Sequence, residues 1–168
     1  ITMNNNEIEN KYRQGDFRIV IEQARISLNE ISNFFNKKKF DLLNIIEISN
    51  DQKSQLIENF LMNIQIVPAY AIETDYSKYK VINGSEKIIA INDFIDNKFA
   101  LSGLSKYWKE LEGKKYNDLP SCIQDGIKRR YLTYYVFLFE SKKGYDYDDF
   151  YNFLSERINT QFNLPNSL

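Results

Sequence analysis

The first sixteen residues are polar and asparagine-rich with no periodic apolar positions, and they read as a flexible amino-terminal tail ahead of one domain over residues 17–168. Residues 17–21, Phe-Arg-Ile-Val-Ile, read as a short strand. Ser27 follows where a helix needs a cap, because its hydroxyl can accept from an unpaired N–H, and Leu28, Ile31, Phe34 and Phe35 recur behind it at helical spacing. Asn36 and the run Lys37, Lys38, Lys39 end that helix, with cations at the negative end of its dipole. Ser49-Asn50-Asp51 starts a second helix that carries Leu56, Ile57, Phe60 and Leu61 on one face and ends near Asn63. Residues 65–72 and 79–82 then read as two strands joined by a polar hairpin loop, with Pro68 near the start or edge of the first.

The second of these strands runs directly into Asn83-Gly84-Ser85-Glu86-Lys87, after which Ile88, Ile89, Ile91, Phe94 and Ile95 fit a helix face. Strand, glycine turn and helix start together make a place where free backbone N–H groups and the positive helix end can meet an anion, with Lys87 in the first turn. The same residues also admit a purely structural account, in which Asn-Gly makes the turn and Ser85 caps the helix. Further on, Pro120-Ser121 initiates a helix, and Arg129-Arg130 precede residues 131–139, whose Thr, Tyr, Val and Phe content suits a buried strand. Asp146, Asp148 and Asp149 open a last helix from Phe150 to about Asn159; no multi-oxygen loop pattern accompanies them, so they are helix-start charges and no metal ligand set is assigned. The pattern predicts an α/β (α+β) domain, a small mixed sheet surrounded by helices, with any ligand outside a strand's carboxyl end.

Composition narrows the chemistry. The 168 residues contain no histidine, which removes Ser-His-Asp and Cys-His catalysis, His-based nuclease chemistry and most zinc sites for this chain alone. A lone cysteine, Cys122, closes no internal disulfide and reads as a free thiol of a reducing cytoplasm, the expected location. No stretch approaches a membrane span, so no membrane partner is expected. Twelve Tyr, twelve Phe and one Trp supply ample apolar area for a core. A net charge of −1 argues against a globally basic nucleic-acid surface, leaving local patches at Lys37 to Lys39, at Lys114 and Lys115, and at Lys128 to Arg130 as the candidates for contacting DNA.

Several short segments occur in an order that carries a resemblance. They are Glu22 to Leu28, Lys53 to Glu58, Ile66-Val67-Pro68, Tyr79 to Gly84, Phe99 to Leu104, Leu111 to Lys114, Asp118-Leu119-Pro120 and Glu156-Arg157-Ile158-Asn159-Thr160. Taken together, the chain resembles the ParB/sulfiredoxin-like family found as the amino-terminal domain of GmrSD-type modification-dependent restriction proteins and of SspE phosphorothioate-sensing defence proteins. The resemblance implies a nucleotide-handling domain of a prokaryotic defence protein, acting on a nucleoside triphosphate with magnesium. It also implies DNA, or a nuclease domain or subunit, as partner, and usually a longer protein with a separate carboxy-terminal nuclease domain. On these grounds Asn83, Gly84, Ser85, Lys87, Arg25, Arg157 and Asn159 are the expected phosphate or nucleotide contacts.

The family signature, Asp-Gly-Gln-Gln-Arg, here reads Asn-Gly-Ser-Glu-Lys, and an upstream Gln-Arg pair is missing from residues 40–50. Asn83 cannot serve as a base or bind a divalent metal with full charge, and the lost arginine removes a two-pronged phosphate contact. Glu86 adds repulsion: like charges ~4 Å apart at an effective dielectric of about 20 cost roughly 4 kcal/mol before screening. The chain is therefore expected to be a catalytically degenerate copy that binds a nucleotide, DNA or a protein. The competing expectation is an enzyme with a site rebuilt from Glu47, Glu86, Lys87 and Arg157, where a carboxylate of Glu47 or Glu86 acts and the two cations hold phosphate.

Overall fold

The computed structural model describes residues 2–15, 18–75, 78–138 and 146–162. In chain order the elements are α1 (Asn5–Gln14), β1 (Val20–Ser27), α2 (Leu28–Asn36), β2 (Phe40–Leu42), α3 (Asn50–Leu61), β3 (Ala69–Asp75), β4 (Lys78–Asn83), α4 (Ser85–Ile95), α5 (Ser121–Arg129), β5 (Tyr131–Leu138) and α6 (Tyr147–Phe162). Two single 3-10 turns, Lys109–Leu111 and Tyr116–Asp118, punctuate the stretch between α4 and α5. The five strands form one mixed sheet in the order β1-β5-β3-β4-β2. β1 runs antiparallel to β5 and β3 antiparallel to β4, whereas β3 with β5 and β2 with β4 are parallel.

Alternation along the strands sorts side chains onto two faces. Ala69 and Ala71 of β3, Val81 of β4 and Leu132 of β5 pack with Leu28 and Ile31 of α2 and with Ile88, Ile91 and Phe94 of α4 in the larger core. On the opposite face Ile72, Ile82 and Phe137 meet Leu154, Phe150 and Ile158 of α6, a smaller cluster. Each fully buried aliphatic side chain contributes about 1.5–3 kcal/mol relative to exposure, which sets the larger core as the main source of stability. Among the described residues, no helix is long and apolar enough to cross a membrane.

The local signals at the starts of α2, α3 and α6 work as expected. Ser27 accepts the N–H of Glu30 at 3.2 Å, and Ser49 with Gln52 closes a reciprocal capping box at 3.1 and 2.8 Å. Asp146 Oδ1 accepts the N–H groups of Asp148 and Asp149 at 3.0 and 3.2 Å, so its carboxylate caps α6. Six readings change. The strand expected at 65–72 runs Ala69–Asp75, with Pro68 just ahead of it, and the helix expected from Phe150 to about Asn159 runs Tyr147–Phe162. The amino-terminal segment is a helix, α1, held by the Asn4–Glu7 capping box and a left-handed Gly15; it buries no residue, which is why apolar periodicity gave no sign of it. The first strand occupies 20–27 and extends to the cap of α2; Phe17, which opened the expected strand, lies outside the described residues. β2 is too short for any periodicity, and parallel pairing with β4 holds it. Finally, Ser85 does not cap α4: Gly84 occupies the cap at φ +94°, and the Ser85 hydroxyl donates to Leu43 O at 2.7 Å and to Val81 O at 3.3 Å. Phe139, at the end of the expected last strand, Tyr76 and Ser77 of the hairpin loop, and residues 163–168 also lie outside the described residues.

Candidate functional site

β4 ends at Asn83, and its carboxyl end opens into a cleft of about 470 Å3 between the segment that follows β2 and the polar face of α6. Four asparagines, Asn44, Asn83, Asn152 and Asn159, line it, and hydrogen bonds tie three of them to one wall. Asn83 Nδ2 donates to Asn159 Oδ1 at 3.0 Å, which joins the β4–α4 turn to α6. Asn159 Nδ2 donates to Ile82 O at 3.1 Å and to Ser155 O at 2.7 Å. Asn44, held in the left-handed region at φ +52°, donates to the same Ile82 O at 2.9 Å and to Ser155 Oγ at 3.1 Å. The Ile82 carbonyl at the strand end is thus shared by two side-chain amides, and the wall is rigid where it would meet a ligand. Ile46 and Tyr151 add apolar surface, and Glu156 is the one charged lining residue among those described. Burial pushes the Tyr151 hydroxyl pKa up, the Asp41 charge adds to this and a hydrogen bond with Ser155 opposes it, so the phenol stays protonated at neutral pH.

The residues expected to contact a ligand do not all converge. Asn83 and Asn159 meet directly, and Gly84 and Ser85 shape the turn beneath them. Lys87 is turned away: its Nζ donates to Val67 O at 2.6 Å, on the segment leading into β3. Arg25 lies on β1, separated from β4 by β5 and β3, with its guanidinium 4.8 Å from the centre of the Tyr131 ring. Arg157 lies over the Phe153 ring at 4.9 Å and does not line the cleft. Glu47 is exposed after β2, and Glu86 Oε2 is buried without a hydrogen-bond partner. Among the described residues no group of three or more Cys, Asp or Glu side chains is placed to share a metal ion. Asn44, Tyr151, Ser155 and Glu156 are site residues that the sequence reading did not single out. Tyr151, Ser155 and Asn159 recur every four residues on α6, a spacing that marks one polar face and could have flagged them.

Burial holds the Lys87 ammonium below its ordinary value of 10.5, with Glu86 pulling weakly in the other direction. The folded chain therefore binds this proton less tightly than the unfolded chain, and stability rises as pH climbs through the folded-state value toward 10.5. A Lys87→Met variant lacks this gain. Whatever offset the lost Val67 bond imposes, the stability difference between variant and parent should shift in the parent's favour between about pH 7 and about pH 10. Urea denaturation at both ends checks this, and a difference that does not move with pH would refute the burial argument. Comparison of the chain with protein-family models, with curated proteins and with solved structures gave no match.

Proposed function

We propose that this chain is a catalytically degenerate ParB/sulfiredoxin-like domain of a defence protein, which binds the nucleoside part of a nucleotide in the Asn83–Asn159 cleft with little or no hydrolysis. One observation carries the reading: three of the four segments in which the family bears its functional residues meet at one cleft, while the fourth, which holds Arg25, lies apart on β1. Residues 40–50, where the family has its Gln-Arg pair, supply Asn44 and Ile46; the altered signature supplies Asn83; the Arg-Ile-Asn segment supplies Asn159. A scaffold that still gathers these positions, while Lys87 and Arg157 lie outside the cleft, is what an eroded site would leave.

The donor set argues for the nucleoside end. Side-chain amides offer both donors and acceptors and so can match the edge of a base or a ribose hydroxyl, while Ile46 and Tyr151 offer flat apolar surface. Among the described residues no lysine or arginine lines the cleft and Glu156 is the one carboxylate, so a magnesium triphosphate is a poor fit to them, and no hydrolytic step is derived. The alternative site of Glu47, Glu86, Lys87 and Arg157 gains no support from this cleft, since none of the four lines it and Lys87 and Arg157 are engaged elsewhere, on Val67 O and the Phe153 ring.

Calorimetric titration with adenosine, guanosine, ATP and GTP, with and without magnesium and alongside a phosphate-release assay, tests the proposal. The expected result is that at least one nucleoside binds as tightly as its triphosphate, independently of magnesium and without turnover. Asn159→Ala should weaken binding about tenfold or more, because it leaves the Asn83 amide and Ile82 carbonyl short of a partner. Magnesium-dependent turnover abolished by Lys87→Ala would replace this reading with a rebuilt enzyme.

A further inference from the structure

On the sheet face that carries α6, the helix covers Ile72, Ile82 and Phe137 but leaves the part built from β1 and β5 accessible. Register fixes what stands there: Gln23 is opposite Tyr135, Arg25 opposite Thr133 and Ser27 opposite Tyr131, and odd-numbered positions of both strands share this face. Tyr135 stacks on Tyr70 at 5.3 Å, and Tyr70 on Phe137 at 6.2 Å. Tyr131 is 54% exposed, with the Arg25 guanidinium at 4.8 Å from its ring centre. A second cleft, of about 280 Å3, runs along this surface and takes in Arg25, Tyr131 and Tyr135 together with Gln23, Thr133 and Arg130.

Its charge is of one sign. Among the described residues two arginines and no aspartate or glutamate line it, in a chain whose net charge is −1. Arg130 is fixed by donating to Phe60 O at 2.9 Å and Leu61 O at 3.2 Å, which anchors its charge against the carboxyl end of α3. Among the described residues no carboxylate lies within salt-bridge distance of Arg25. Glu22, the acid nearest to Arg25 along β1, falls on the opposite face by alternation. The asparagine cleft has the reverse character, with a carboxylate and no cation among the described residues.

We propose that this sheet face binds single-stranded nucleic acid, with bases stacking on the exposed Tyr131 ring and on the Arg25 guanidinium plane, and phosphates held by Arg25 and the charge of Arg130. A single strand fits where a duplex does not, since its unstacked bases can lie flat on rings and guanidinium groups while Gln23 and Thr133 hydrogen-bond to base edges. This site is independent of the asparagine cleft, and either can fail without the other.

Fluorescence anisotropy with a labelled oligothymidylate of about twelve nucleotides, its matched duplex and an unlabelled nucleoside competitor tests the proposal. The expected result is single-strand binding that weakens steeply between about 50 and about 200 mM salt, with the duplex weaker and the nucleoside unable to compete. Tyr131→Ala should weaken single-strand binding roughly fivefold or more through lost stacking. Arg25→Lys should recover part of what Arg25→Ala loses, because the charge survives and the plane does not. Lys109→Ala, a charge loss on an exposed 3-10 turn that does not line this cleft, should leave binding unchanged. Circular dichroism of each variant separates lost binding from lost fold. Absence of single-strand binding at low salt, equal affinity for duplex, or binding indifferent to both Arg25→Ala and Tyr131→Ala would overturn the proposal.

Discussion

Phe94→Ala is expected to lower the unfolding free energy by about 3–5 kcal/mol, a large fraction of the roughly 5–15 kcal/mol that holds a domain of this kind together. The ring is wholly buried at the inner face of α4. It packs 5.4 Å from Phe99 at an interplanar angle of 50° and meets Tyr116 edge-on at 5.7 Å and 86°. Such ring pairs are worth about 0.5–1.5 kcal/mol beyond the area they bury, which places the cost toward the upper end. Phe94 also links two parts of the chain that no hairpin joins: α4 carries it, while Phe99 and Tyr116 belong to the irregular stretch beyond. Phe153→Ala, at a ring 50% exposed on α6, is the matched control and should stay within about 0.5 kcal/mol of the parent. Urea midpoints for the two variants check the prediction; a loss at Phe94 no larger than that at Phe153 would mean that the core collapses around the missing ring.

The contrast between those two rings shows what the sequence could and could not disclose. Helical spacing marked Phe94 as apolar-faced, and capping chemistry marked the starts of α2 and α3, because both are local: Ser27 and Ser49 need only residues three positions away. The β3–β4 hairpin was legible for the same reason. What local pattern could not disclose is which distant segment lies alongside. β1 takes its place by pairing with β5 more than a hundred residues later, and β2, three residues long, exists through its bonds to β4. The candidate site divides along the same line. Asn83 and Asn159 were named from segments and do meet, whereas Asn44 matters through a left-handed backbone and a shared carbonyl that appear only once β2 is docked. Arg25 and Lys87 belong to the same set of expected contacts, but two intervening strands place Arg25 at the far edge and the Lys87 ammonium donates to Val67 O.

Gly84→Ala should cost about 2–5 kcal/mol and disturb the asparagine cleft as well. Gly84 sits at φ +94°, where a side chain adds about 1–2 kcal/mol of strain. An added Cβ would also lie 2.8 Å from Ala69 Cβ and 3.0 Å from Ala69 Cα, and since the latter is main chain the clash is relieved only by moving β3 or the turn, at about 1–3 kcal/mol. Gly113→Ala separates the two costs. It has φ +77° and nothing within 4 Å of the added carbon, so it should lose the conformational part alone. The difference between the variants, read from urea midpoints, measures the contact with Ala69; equal losses would show that β3 yields freely. A rigid contact has a second effect, because the residue before Gly84 is Asn83, whose amide reaches Asn159 at 3.0 Å. A turn displaced by even a few tenths of an ångström stretches that bond, so nucleoside affinity measured on the folded fraction should fall in Gly84→Ala and hold in Gly113→Ala. The glycine that permits the strand-to-helix turn thereby also sets the position of the amide on which the proposed binding depends.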